Sequence, residues 1–160
     1  MGKVGPVTND DESKDERENR ELIELLNEVR VVLPGVQVLF AFLLTLAFSS
    51  AFKTIDSIER FTYLLAFFST AGASVLLMAP TTFHRIRFRQ GDKEALLRLA
   101  TQFTLAGMGL LAVAMVAGIW LVSEKVLSQQ AANVVGVISI VVIVFLWFAI
   151  PIWRRARHEH

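Results

Sequence analysis

Polar and apolar residues along this chain are sorted into long blocks. Stretches with no charged residue run over 31–52, 61–83, 99–123 and 126–153. Each supplies about 20 apolar residues, which at ~1.5 Å rise per residue match the ~30 Å hydrocarbon core of a bilayer. In lipid only a helix or a closed barrel satisfies every backbone group. Barrel strands alternate in polarity over short segments, and these blocks do not alternate. Helices of a soluble bundle keep a polar face, and these blocks have none. The pattern therefore predicts four transmembrane helices, at about 36–52, 61–80, 99–122 and 131–153.

The flanks predict the remaining architecture. Residues 1–15 are polar with Gly2, Gly5 and Pro6, and read as a disordered tail. Over 16–33, Leu22, Leu26, Val29 and Leu33 recur at helical spacing, which predicts an amphipathic helix lying on the membrane or on the bundle. Pro34-Gly35 is expected to break or kink it before the first span. Gly91 as a helix terminator and Asp92 as an N-cap predict a helical hairpin between spans two and three. Residues 154–160 form a basic tail. The expected fold is all-α: a four-helix transmembrane bundle with an N-terminal cytoplasmic amphipathic helix and a cytoplasmic helical hairpin between spans two and three.

Charge fixes the expected orientation. Lys3, Lys14, Arg17, Arg20, Arg30, Arg85, Arg87, Arg89, Lys93, Arg98, Arg154, Arg155 and Arg157 fall on one side of the predicted spans. Lys53, Arg60 and Lys125 fall on the other. Cationic residues concentrate on the cytoplasmic side, so both termini and the hairpin are expected there. Tyr63 and Trp120 are expected at the outer interface, and Trp153 at the inner one.

Composition agrees and then limits the chemistry. The 160 residues are 54% hydrophobic and 19% charged, with a net charge of +1 and no cysteine. Thiol nucleophiles, disulfides and Cys-bound metals are excluded. No Asp, Glu, Lys, Arg or His lies inside the predicted spans, whereas coupled carriers normally hold an intramembrane ionisable group. His84 sits in a basic patch and His158 and His160 in the tail, without partner ligands for a metal. No nucleophile–base pair or paired carboxylates can be assembled, so no enzyme and no cofactor are expected.

Three sets of residues stand out. Arg85, Arg87, Arg89 and Arg98 can meet anionic lipid headgroups, set topology only, or clamp Glu21, Glu24 and Glu28 of the amphipathic helix. Gln37 and Thr45 are the candidates for a polar path. Small residues recur four apart at Ser69/Ala73, Thr70/Ser74, Ala114/Gly118 and Ala132/Gly136, a spacing that lets helices approach closely, here chiefly within the chain's own bundle. The remaining hydroxyls are expected to bond to their own or a neighbouring helix.

The stretches "ELLNEVRVVLPGVQVLFAFLLTLAF", "APTTFHRIRFRQGDKEALLR" and "IPIWRR" resemble an uncharacterised family of small bacterial four-span membrane proteins. It is a domain of unknown function whose members often carry the label sodium:proton antiporter. The resemblance covers roughly 21–155. It implies a bacterial inner-membrane location and carries over no catalytic or binding residue. The expected role is that of an accessory, scaffold or lipid-contacting subunit, with membrane lipids and either a second copy or another membrane protein as partners, and no nucleic acid. The alternatives are an ion transporter working as a homo-oligomer and, third, an intramembrane enzyme.

Overall fold

A computed structural model of the chain describes residues 14–87 and 93–149. They form α1 (Lys14–Ala47), a 3-10 turn (Ser50–Thr54), α2 (Ser57–Arg87), α3 (Lys93–Val126), α4 (Gln129–Val144) and a π turn (Phe145–Ala149). Each of the four helices contains a segment long and apolar enough to cross a membrane. Their outward faces carry Phe42, Phe61, Leu105 and Val134, each more than half exposed. Water would not tolerate such faces around a whole bundle. The chain is a multi-pass membrane protein. The N- and C-terminal tails and the Gly91-Asp92 hairpin tip lie outside the described residues.

The break expected at Pro34-Gly35 is absent, and α1 is one helix of 34 residues. Its buried positions explain this. Leu22, Val29, Val36 and Leu43 are the buried residues of α1, each seven after the last. That repeat is the seam of a helix packed at shallow angle against neighbours, and it keeps register on both sides of Pro34. Pro34 itself is exposed. Its missing N–H and the freed Arg30 carbonyl sit away from the packed seam, so the helix passes through. The helix also stops earlier than the apolar run. The Phe48 and Ser49 amides bond back to the Thr45 and Leu46 carbonyls at 3.1 Å, tightening the end into a 3-10 turn.

α2 and α3 make the most extensive seam. On α2 it consists of Ala66, Thr70, Ala73, Leu77 and Pro80. On α3 it consists of Ala100, Thr104, Gly107, Leu111, Ala114, Ala117 and Leu121. Successive members stand three or four residues apart, and most are small, so the backbones lie close. A Cβ at Gly107 would stand 2.8 Å from Leu77 Cγ. Of the small-residue stripes read from the sequence, Ser69, Thr70, Ala73, Ala114, Ala132 and Gly136 are buried within this chain's own bundle, whereas a Cβ at Gly118 would meet nothing within 4 Å. α1 lies against both α2 and α3.

α4 is different. Its backbone approaches only α3 among the other three helices, with Ala132 and Gly136 at the contact. Ser128 caps its start, accepting from the Ala131 amide at 3.4 Å. Beyond α4, Trp147 of the π turn packs against the cluster of Val29, Val36, Ala73, Leu77 and Leu111. The described residues therefore form a three-helix core with a fourth helix laid against one member.

Candidate functional site

The end of the bundle that carries the 3-10 turn and the α3–α4 connection holds a charged group. Asp56 precedes α2 and Glu59 lies in its first turn. The Glu59 amide donates to Asp56 Oδ1 at 2.8 Å, and the Asp56 amide donates to Glu59 Oε2 at 2.9 Å. This reciprocal arrangement satisfies amides that the helix itself leaves free. Lys125, from the last turn of α3, places Nζ 2.6 Å from Glu59 Oε1. Glu59 is only 5% exposed. Beside it, Oε2 of Glu124 is covered and has no hydrogen-bond partner.

Tyr63 lies one turn further along α2. It is buried, its hydroxyl donating to the Leu43 carbonyl of α1 at 3.0 Å, and Phe52 meets its ring edge-on at 4.6 Å between centroids. The phenol is drawn inward because the end of α1 offers it a partner. Chemically this end is a clasp. It ties α1, α2 and α3 together and holds more carboxylates than ammonium groups, yet no group of three metal-ligating side chains forms among the described residues.

The second feature is a groove. Because α4 touches α3 alone, an apolar cleft of about 600 Å³ is left between α2 and α4, floored by α3. Leu65, Ala112, Val116, Gly136, Val137 and Ile140 are among the residues lining it. Its one polar end is made by Trp120, whose indole N–H donates to Asn133 Oδ1 at 3.0 Å, and by Thr62, whose hydroxyl donates to the Ile58 carbonyl at 2.9 Å.

The residues singled out from the sequence are described only in part. Glu21 pairs with Arg17 at 3.0 Å and Glu24 with Arg20 at 3.6 Å, both within α1 and both largely exposed. Exposed pairs of this spacing contribute only a few tenths of a kcal/mol. Glu28 and Arg98 are exposed. Arg85 and Arg87 end α2, but their side chains, with that of His84, and Arg89, His158 and His160, lie outside the described residues. Gln37 and Thr45 both sit on the exposed face of α1, and the Thr45 hydroxyl donates to its own helix at the Ala41 carbonyl, 2.9 Å away. Thr70, Ser74, Thr101 and Ser139 do the same. Thr104 is the exception, buried with its hydroxyl unpartnered.

Sequence reasoning missed the charged clasp, because Glu59 and Lys125 lie in the short connections between apolar blocks. A signal was present: Asp-x-x-Glu over Asp56–Glu59 is a helix-start signature. The groove had no sequence signal, since it depends on how α4 leans.

Comparison with curated proteins and with solved structures gives no match. Residues 11–151, nearly the whole chain, match one family, and the protein belongs to it: the family of unknown function DUF6328.

Proposed function

We propose that the protein is a non-catalytic integral membrane protein that acts by binding, as an accessory, scaffold or lipid-contacting subunit. The observation that carries this reading is the apolar groove of about 600 Å³ between α2 and α4. A helix that leans on one neighbour leaves a surface that some apolar partner must fill in the bilayer. The cationic excess on the side of the termini supports a cytoplasmic position for both, and the resemblance of the sequence supports a bacterial inner membrane. The test is the mass and composition of the native assembly extracted with its lipid. A hetero-complex, or a chain that retains defined lipids, is the expected result. A chain that associates with nothing beyond bulk lipid overturns the reading.

Transport by a homo-oligomer is the second reading, and one observation favours it. Glu59, Glu124 and Lys125 bring ionisable groups to the covered end of the bundle, where a cation could be engaged. Against it, the α2–α3 seam below that end is built mainly of alanine, leucine and glycine. Flux through reconstituted protein that is lost in Glu124→Gln, or in Gln37→Leu or Thr45→Val, supports transport. Flux unchanged in all three removes these residues as a route.

A further inference from the structure

We infer that the groove between α2 and α4 binds one acyl chain of a glycerolipid, with the ester region of that lipid held at Asn133. The inference rests on the binding reading above and names the partner.

Three features select an acyl chain. The first is length. The groove runs along α4 from Asn133 to Val144, eleven residues or about 16 Å at helical rise. That is about half of the ~30 Å hydrocarbon core, the depth of a single leaflet. A partner helix crossing the membrane would need a groove about twice as long. Beyond Val144 the chain turns inward, and Trp147 packs against the core of α1, α2 and α3. The groove is thus about as long as one leaflet is deep.

The second is polarity. The walls toward Val144 are aliphatic, while the polar atoms gather at the Asn133 end. An amphiphile has the same one-ended polarity. The third is the direction of the Asn133 amide. An indole nitrogen only donates, so the bond from Trp120 Nε1 fixes Asn133 Oδ1 as its acceptor. The amide NH2 then remains as a donor pair at the mouth of the groove. An ester carbonyl or a phosphate oxygen accepts from it. The groove suits a slender chain, since Ala112 on its α3 floor and Gly136 on its α4 side are small. A Cβ at Gly136 would already stand 3.1 Å from Trp120 Cδ1. The volume lies within the range of small-molecule sites, about 300–1,000 Å³.

The test uses the full chain, delipidated in mild detergent and titrated with dioleoyl phosphatidylglycerol or its single-chain lyso form. Lipid adducts are counted by native mass spectrometry. One saturable lipid per chain is expected with either probe. Val116→Phe and Val137→Phe, which fill the groove from α3 and from α4, each weaken that first lipid at least about tenfold. Asn133→Leu weakens it severalfold. Val38→Phe, on the exposed face of α1, leaves it unchanged. No saturable first lipid, or equal loss in Val38→Phe, overturns the inference. Cross-linking from Val137→Cys in native membranes separates the two levels. A second copy or another protein trapped there removes the acyl chain and leaves the binding reading standing. Neither lipid nor protein at the site removes both.

Discussion

The Lys125 ammonium lies 2.6 Å from the Glu59 carboxylate and joins the last turn of α3 to the first turn of α2. The two partners are unequal: the Lys125 side chain is 47% exposed and that of Glu59 only 7%. An exposed ion pair contributes little, but a covered carboxylate that loses its cation is left stranded. Lys125→Gln should therefore lower the thermal midpoint in detergent, and adding Glu59→Gln should restore part of the loss. An unchanged midpoint in Lys125→Gln would show the pair to be ornamental. Glu59→Ala also removes half of the capping pair and should cost about 1–3 kcal/mol.

Two glycines of α3, two residues apart, should respond in opposite ways. At Gly107 a methyl would press on Leu77 Cγ at 2.8 Å, and Leu77 is fully buried. Gly107→Ala should destabilise by about 1–3 kcal/mol through overpacking. At Gly109 a methyl meets nothing within 4 Å, so Gly109→Ala should stabilise by up to about 1 kcal/mol from helix propensity. Denaturant titration of both variants measures the contrast, and a stabilising Gly107→Ala would contradict the tight α2–α3 seam.

Pro34→Ala should keep the fold and raise stability, because it restores one helical bond on the exposed side of α1. Helicity by circular dichroism should stay nearly constant, whereas a true break at Pro34 would heal and give a clear gain. Leu43→Ala, on the seam of the same helix, should cost about 2–5 kcal/mol.

Tyr63→Phe deletes the hydroxyl that reaches across to the Leu43 carbonyl. That carbonyl lies near the end of α1. The expected loss is about 0.5–1.5 kcal/mol, read from the unfolding midpoint. A gain would mean that the hydroxyl is held at a net cost.

The number and approximate position of the helices were legible because length and charge-free composition alone determine which segments can cross a bilayer. The α2–α3 seam was partly legible through the small residues Thr70, Ala73 and Ala114. The continuity of α1 was not, although the information was in the chain. Leu22 and Val29 marked a repeat, but Val36 and Leu43 fell in a block where every position is apolar, so nothing distinguished seam from surface. Lipid-facing and core-facing residues look alike in such a block. The clasp was hidden for the opposite reason. Glu59 and Lys125 lie in short links between apolar blocks, and only the tertiary contact between two helix ends buries one of them. Nothing local in the sequence encodes the lean of α4.

The seven-residue repeat of α1 has a mechanical consequence. α1, α2 and α3 contain 34, 31 and 34 residues, so each is a rod of about 46–51 Å set in a hydrocarbon layer of ~30 Å. A layer of that thickness set against the 3-10 turn would leave the surplus emerging at the opposite end, where Lys14, Arg87 and Lys93 lie. Leu22, near that far tip, is buried as Leu43 is buried at the opposite end, so the emerging stub is a packed mast. A load applied to the mast meets a helix that continues through Pro34. Tilting or twisting α1 from outside the bilayer must move Val36 and Leu43 inside it, and with them the Tyr63 bond that anchors the foot of the rod.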